Sequence, residues 1–196
     1  MISLELVAVL LTLVAVYLTT RQVLWCWPLG MVSVTLYAAV FYDARLYADM
    51  GLQGLYFALA AYGWWAWRHG GADHGELQVS LTPARQRAAL LGAAAIGGVL
   101  LGLALHRFTD ASLPFMDSML TSVSIAAQWM QTRKLLESWL VWLAVDVLYV
   151  GMFLYKELFL TAGLYSVFLG LAIMGLVTWR RSMQEPLLPA ASQASP

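Results

Sequence analysis

The sequence predicts an all-α integral membrane protein with seven transmembrane helices, and three observations support this. Hydrophobic residues make up 61% of the 196 residues and charged residues only 11%, proportions unlike those of a soluble domain. The apolar residues form blocks of roughly 18–22, the length that spans about 30 Å of hydrocarbon. Third, residues 20–68 resemble residues 132–180 of the same chain.

The spans follow from the apolar blocks, with boundaries defined to within a few residues. The N-terminus lacks the positive charge of a signal peptide, so the first block is predicted to be a retained helix. Pro28 fits the start of the second span, where a missing N–H costs little. The predicted spans are Leu4–Thr20, Trp25–Tyr42, Leu46–Trp67, Ala88–Leu105, Asp117–Gln131, Ser138–Tyr155 and Leu158–Trp179.

Composition argues against several classes of function. The net charge is zero, which gives no electrostatic support for a nucleic-acid partner. The single cysteine, Cys26, excludes an intrachain disulfide framework and a cysteine-based metal cluster. The polar stretch Arg68–Arg87 is predicted to be a flexible loop, and its His69 and His74 are more simply solvated than metal-bound. We therefore predict no metal and no cofactor.

The positive charges of the predicted loops are distributed unequally between the two sides of the membrane. One side carries Arg21, Arg68, Arg85, Arg87, Arg133, Lys134, Arg180 and Arg181, whereas the other carries Arg45, Arg107 and Lys156. Loops rich in Lys and Arg stay in the cytoplasm. The sequence therefore predicts an N-terminus outside and a C-terminus inside.

A shift of 112 positions aligns the chain with itself without a gap. Unrelated apolar segments would share some Leu and Ala, but not a register of Trp, Tyr, Gly and Arg. An odd number of spans separates equivalent helices, so both units have the same orientation, as in parallel-repeat transporters. The predicted parts are a first three-helix repeat (1–68), a loop and linker helix (69–112), a second repeat (113–181) and a disordered cytoplasmic tail (182–196). The matched pairs include Trp27 with Trp139, Tyr37 with Tyr149, Phe41 with Phe153, Gly63 with Gly175, and Trp67 with Trp179.

The sixth span carries an acid near its middle. Asp146 lies among apolar residues, and an ionisable group at that depth marks a functional site by default. Trp139, Trp142 and Tyr149 fall within about a quarter of the helix circumference around it. Its equivalent in the first repeat is Val34, so the two halves share a scaffold but not their chemistry.

Polar stripes on other spans predict a cavity, because amides and hydroxyls along a membrane helix must face protein or water. The fifth span has such a stripe from Asp117 to Gln131, the third span has one from Asp49 to Tyr56, and Ser33 and Tyr37 of the second span are compatible with it. The candidate substrate-binding residues are Gln53, Tyr56, Thr121, Ser124, Gln128, Trp139, Trp142, Asp146, Tyr149 and Tyr165.

These residue types predict a small aromatic, hydroxylated solute, with a cationic ring as one option. Trp and Tyr faces stack on flat rings and attract cations, while amides and hydroxyls suit amides and sugar hydroxyls. An intramembrane enzyme is disfavoured, because the spans show no Ser/His, His/Glu or paired-carboxylate arrangement. A receptor or scaffold is disfavoured too, because the extramembrane segments are short.

Several motifs resemble the PnuC family of vitamin transporters over nearly all of residues 4–181. In the first half they are Leu46-Tyr47-Ala48-Asp49, Gln53 and Tyr62-Gly63-Trp64-Trp65-Ala66-Trp67. In the second half they are Asp117-Ser118, Gln128, Thr132-Arg133-Lys134, Glu137-Ser138-Trp139, Trp142, Asp146, Lys156, Thr161-Ala162 and Leu164-Tyr165.

The resemblance implies a bacterial inner-membrane carrier with the 3+1+3 arrangement of SWEET-type sugar carriers, assembled as a homotrimer. It implies facilitated diffusion of nicotinamide riboside, trapped by phosphorylation in the cytoplasm, with thiamine and riboflavin as alternatives. Asp146 stands where several relatives have Asn, which leaves the choice of vitamin open. Proton-coupled uptake through Asp146 is a further alternative.

Overall fold

The chain folds into seven α-helices in the computed structural model, which describes residues 2–43, 45, 47–109, 113–155, 157 and 159–184. A short 3₁₀ turn, Ala72–His74, lies between the third and fourth helices. The helices are α1 (Ile2–Thr20), α2 (Cys26–Asp43), α3 (Tyr47–His69), α4 (Ala84–Phe108), α5 (Pro114–Thr132), α6 (Ser138–Tyr155) and α7 (Phe159–Gln184).

The all-helical prediction is confirmed, and most helix ends lie close to their predicted positions. Helix α6 has the predicted bounds, while α4 begins at Ala84 rather than Ala88. Helix α7 continues to Gln184, past both its predicted end and the predicted start of the tail. Residues 185–196, the remainder of the predicted disordered tail, lie outside the described residues.

Three helices in the described part of the chain are long and apolar enough to cross a membrane, namely α4, α6 and α7. Helix α1 contributes a shorter apolar stretch, Leu4–Thr20. Helices α2, α3 and α5 do not meet the same criterion, and between them they carry Trp, Tyr, Ser, Thr and Gln side chains. Crossing by all seven helices therefore stays a prediction.

The helices pack as two sets of three. Helix α2 packs between α1 and α3, and α6 packs between α5 and α7. The sets meet where α1 contacts α7 and α3 contacts α5. Helix α4 packs against α5 at Gly98 and Gly102, where an added Cβ would lie 2.8 Å from Met119 and 2.6 Å from Phe115. Small residues thus permit close helix approach.

Four buried indoles, Trp27, Trp67, Trp139 and Trp179, form what we call the tryptophan cluster. The rings of Trp27 and Trp67 meet edge to face with centroids 5.3 Å apart, and those of Trp139 and Trp179 do the same at 5.3 Å. Trp67 and Trp179 join the two pairs at 5.8 Å. The cluster therefore connects the two sets of helices at one end of the bundle.

Further contacts around the cluster also occur in pairs whose members are 112 positions apart. The Trp67 Nε1–H donates to the Gln131 carbonyl at 3.1 Å, and the Trp179 Nε1–H donates to the Thr19 carbonyl at 3.0 Å. A Cβ added at Gly63 would lie 2.5 Å from the Trp27 ring, and one at Gly175 would clash with the Trp139 ring in the same way. The helix-joining turns match as well, because Gln22 and Lys134 both have positive φ, at 57° and 50°.

The polar segment after α3 is attached to the turn between α5 and α6. The Ser80 N–H donates to the Lys134 carbonyl at 3.1 Å, and the Leu136 N–H donates to the Ser80 carbonyl at 2.9 Å. The Glu137 carboxylate accepts the Thr82 N–H at 2.9 Å and the Thr82 hydroxyl at 2.8 Å. Within the segment predicted to be a flexible loop, Ser80 and Thr82 are thus bonded to this turn, and Ala84–Arg87 form the start of α4.

Replacing Glu137 by alanine is expected to release this segment, because Thr82 then loses the acceptor for both its N–H and its hydroxyl. Hydrogen exchange at Ser80 and Thr82 should accelerate at least tenfold, while helix content by circular dichroism stays unchanged. Glu157→Ala, at an exposed turn between α6 and α7, is the matched control. Equal exchange rates in both variants would show that the carboxylate does not hold the segment.

Candidate functional site

The middle of α6 contributes to a group of aromatic rings and one acid, which we call the aromatic–acid cluster. The Tyr149 and Tyr165 ring centroids are 4.8 Å apart, and Phe153 lies 5.1 Å from Tyr165. The Tyr149 and Phe153 rings stack at 5.7 Å. One helical turn before Tyr149 lies Asp146, of which 4% is exposed. The cluster consists of Tyr37, Tyr56, Asp146, Tyr149, Phe153 and Tyr165.

The Asp146 carboxylate is the most unusual group in the cluster. It is buried in the protein, and neither a hydrogen bond nor an ion pair with any other described residue compensates its charge. An unpaired buried charge costs several kcal/mol, on the order of its lost hydration. A group retained at that cost inside a membrane helix is a candidate for contact with a charged or polar ligand.

Other helices bring side chains to the same place. Tyr165 on α7 lies within electrostatic range of Tyr37 on α2, Tyr56 on α3, and Asp146 and Tyr149 on α6. The Tyr149 hydroxyl lies near Thr121 and Ser124 on α5. The Ser124 Oγ is buried, and no hydrogen bond to it is formed within the described part of the chain. Asp117 of α5 also lies within electrostatic range of Tyr149. Five helices therefore converge around two acids, several rings and several hydroxyls.

Amide side chains lie on the same stretch of α5 and on α3. The Trp142 Nε1–H donates to the Gln131 Oε1 at 2.5 Å, which fixes the indole next to α5. Gln128 and Gln53 are half-buried, and their amides make no hydrogen bonds with the residues that the structure describes. Their assignment to the binding site stays a prediction from the sequence.

Two residues singled out from the sequence lie elsewhere. Trp139 is 1% exposed and enclosed by Trp179 and Gly175 in the tryptophan cluster, so its ring has no free face for a ligand. The Ser33 hydroxyl donates to the Ala8 carbonyl at 2.8 Å and bonds Thr12 at 2.7 Å. Both side chains pack helices together instead of lining the aromatic–acid cluster.

The aromatic–acid cluster has the chemistry of a small-molecule site. No group of three or more His, Cys, Asp or Glu residues that could hold a metal ion occurs within the described ranges. The cluster offers flat rings for stacking, one carboxylate for a positive charge, and hydroxyls and amides for polar groups. Such a set suits a hydroxylated molecule with a flat, positively charged ring.

A sequence profile of the family described as nicotinamide mononucleotide transporter matches residues 2–181. The chain belongs to this family, the PnuC family of transporters.

Individual members of the PnuC family are similar over most of the chain. The riboflavin/roseoflavin transporter RibM of Streptomyces davaonensis is 28% identical over 95% of this chain and 90% of its own length. The nicotinamide riboside transporter PnuC of Escherichia coli is 27% identical over 80% of this chain and 76% of its own. The crystal structure of the vitamin B3 transporter PnuC has a TM-score of 0.71, covers 91% of this chain and 80% of that chain, and is 24% identical. That likeness shows a shared fold.

In this member of the PnuC family, two groups of contacts were not predicted from the sequence. One is the mutual contact of the four tryptophans, although the equal spacing of Trp27 to Trp67 and of Trp139 to Trp179 was a usable signal. Gln131 was predicted to belong to the polar stripe of α5, but its hydrogen bond with Trp142 was not predicted. Lys134 and Glu137 belong to the motifs of the resemblance, but their partners could not be predicted because Trp67 and Thr82 lie more than 50 positions away in the chain.

Proposed function

We propose that the chain carries a small aromatic vitamin across the membrane and that the vitamin binds at the aromatic–acid cluster. The observation that carries this proposal is the buried Asp146 carboxylate, which has no partner among the described residues and lies one helical turn from Tyr149, whose ring packs on Tyr165. The chain that holds it is a member of a transporter family. The proposed contacts are Gln53, Tyr56, Thr121, Ser124, Gln128, Trp142, Asp146, Tyr149 and Tyr165. Trp139 supports them from the tryptophan cluster.

Nicotinamide riboside is the proposed substrate because its chemistry complements the cluster. Its pyridinium ring is flat and positive, which fits a carboxylate flanked by phenol rings. Its amide and ribose hydroxyls are polar groups that Gln53, Gln128 and Ser124 can bind. The curated relative from Escherichia coli transports this compound by its name, which supports the same choice here.

The proposed scaffold is a 3+1+3 arrangement of two parallel repeats, as in SWEET-type carriers. Residues 1–68 and 113–181 are the repeats and residues 69–112 contain the linker helix α4. Contacts that occur in pairs 112 positions apart support this division. The clearest pair is the packing of the Trp27 ring against Gly63 and of the Trp139 ring against Gly175. Rocking of one repeat against the other would expose the central site to each side in turn.

The tryptophan cluster is the proposed closed gate at one end of the path. The Trp67–Trp179 contact joins the repeats there, and most positive residues belong to the loops at the same end. By the charge bias this end is cytoplasmic, with the N-terminus outside and the C-terminus inside a bacterial inner membrane. We further propose facilitated diffusion in a homotrimer, with cytoplasmic phosphorylation retaining the product.

Riboflavin is the second candidate, and a specific observation favours it. The relative that covers 95% of this chain is by its name a riboflavin/roseoflavin transporter. Riboflavin is neutral, so Asp146 would then act as a hydrogen-bond acceptor instead of a counter-ion. Thiamine, whose ring is also cationic, is a third possibility, and Asp146 does not separate it from nicotinamide riboside.

A ligand panel on the purified full-length protein tests the proposal. Calorimetry would compare nicotinamide riboside, riboflavin and thiamine, each with its phosphate ester, on wild type and on Trp142→Ala. We expect a free vitamin to bind most tightly, and Trp142→Ala to weaken that binding at least tenfold through loss of a stacking face. If no vitamin binds, or if Trp142→Ala binds as well as wild type, this assignment of the site fails.

A further inference from the structure

A cavity lies at the end of the bundle that holds the tryptophan cluster. It has a volume of about 490 Å³, which is within the range of small-molecule pockets. It opens between the turn joining α1 and α2, the end of α3, and the turn joining α5 and α6, and it shares no residue with the aromatic–acid cluster. Its lining comprises Gln22, Leu24, Trp25, Pro28, Trp64, Trp67, Arg68, Glu76 and Lys134.

Lys134 is the unusual group in this cavity. It is 6% exposed, and its ammonium lies 4.5 Å from the centroid of the Trp67 ring. Its backbone is fixed by hydrogen bonds to Gln131 and Ser80, so the side chain starts from a fixed position at the cavity. No carboxylate of the described residues lies within ion-pair distance of the ammonium. Burial lowers the pKa of Lys134, and the more distant Glu76 opposes that shift.

The rest of the lining adds one further cation and a set of flat apolar surfaces. Arg68 is exposed at the cavity and Glu76 carries the opposing charge, which leaves the lining with one net positive charge. Trp25 is 69% exposed and Trp64 is 42% exposed, so both indoles have free faces. Indole faces stack on aromatic rings, and the cationic side chains of Lys and Arg bind phosphate groups.

We propose that this cavity binds a flat aromatic compound that carries one phosphate group, with the phosphate at Lys134 and Arg68 and the ring against Trp25 or Trp64. The anion supplies the buried ammonium with the counter-ion that the described protein residues do not. Because Trp67 belongs to both the cavity and the tryptophan cluster, an occupant would stabilise the Trp67–Trp179 contact. A bound occupant is therefore expected to inhibit transport from that end. This expected inhibition, unlike the binding itself, rests on the proposed function.

The phosphate could also belong to the headgroup of an anionic lipid, and the experiment separates the two sources. Calorimetry on the purified full-length protein in neutral detergent would use nicotinamide mononucleotide as the probe and inorganic phosphate as the ring-free comparison. A parallel arm measures thermal stability in nanodiscs made with or without phosphatidylglycerol. We expect the mononucleotide to bind at least tenfold more tightly than phosphate, since only the former stacks on indoles.

Two variants and two controls complete the test. Lys134→Gln, which introduces the residue found at the equivalent position 22, should weaken mononucleotide binding at least tenfold. If that variant does not fold, Arg68→Gln, which changes an exposed cation of the same cavity, should weaken binding severalfold. Arg21→Gln changes an exposed cation outside the cavity and should bind like wild type. Asp146→Asn should retain mononucleotide binding, which distinguishes this cavity from the aromatic–acid cluster.

Three outcomes would overturn the proposal. The first is no mononucleotide binding to wild type. The second is equal affinity in wild type and in the cavity variant that folds. The third is stabilisation by phosphatidylglycerol that depends on Lys134 while the mononucleotide is inert, which would assign the cavity to a lipid headgroup. None of these results bears on vitamin binding at the aromatic–acid cluster, so the two proposals fail independently.

Discussion

Replacing Asp146 by asparagine is expected to reduce uptake of a cationic vitamin at least tenfold and to make the protein more stable. The loss of one charge interaction of about 1.4 kcal/mol corresponds to a factor of ten in affinity. Stability should rise because the neutral amide avoids the cost of burying a charge with no partner among the described residues. Each kcal/mol recovered should raise the melting temperature by roughly 2–4 °C.

Radiolabelled uptake into proteoliposomes and thermal unfolding in detergent measure the two effects. Asp43→Asn is the matched control, because it removes a carboxylate that is exposed at the end of α2. A change in uptake without a gain in stability would mean that Asp146 has a partner in the membrane. Unchanged uptake would remove Asp146 from the substrate site.

The same assay addresses proton coupling. If Asp146 relays protons, transport should require an ion gradient, and Asp146→Asn should abolish that dependence. If Asp146 only binds substrate, counterflow of labelled vitamin should proceed without any gradient in wild type. The second outcome is the one expected from facilitated diffusion.

The second large effect is expected at Gly63 and Gly175, where alanine should destabilise the fold. An added Cβ at either position would overlap a tryptophan ring, Trp27 in the first case and Trp139 in the second. These rings are buried within the tryptophan cluster and have no free space into which to move. Overpacking of this kind costs about 1–3 kcal/mol.

The chain provides matched controls for this substitution on the same two helices. A Cβ added at Gly51 of α3 or at Gly163 of α7 would meet nothing within 4 Å. Alanine at these sites should leave stability unchanged or raise it by up to about 1 kcal/mol, because glycine is a poor helix former. Thermal unfolding followed by size-exclusion chromatography measures all four variants. Equal melting temperatures across the four variants would show that the packing of Trp27 and Trp139 does not require glycine at positions 63 and 175.

Much of the fold could be predicted from the sequence because membrane helices are recognisable by their length and apolar composition. The bounds of α6 were predicted as Ser138–Tyr155, and the structure has the same bounds. Helix α4 began earlier than predicted because Ala84–Arg87 is polar yet helical, so hydropathy could not detect it. Two markers of the resemblance, Leu46 and Lys156, lie outside the described residues.

The candidate site was only partly predictable. Helical spacing brought Asp146 and Tyr149 to one face of α6, and the structure adds Tyr165 from α7 to them. The same spacing put Trp139 on that face, but its ring is enclosed near the end of the helix by Trp179. A projection along one helix gives the angle of a side chain around the helix axis. It does not show which neighbouring helices bury that side chain at its position along the axis.

What the sequence alone determined is the helical membrane class, the family, the 112-residue register and the presence of an acid within α6. These properties depend on residue type and on spacing along one helix, which are local. The tertiary structure decided that Asp146 has no partner among the described residues, that Glu137 binds Thr82, and that Lys134 lies over Trp67. These contacts depend on how helices far apart in the chain pack, and burial, which sets the cost of each charge, exists only after that packing.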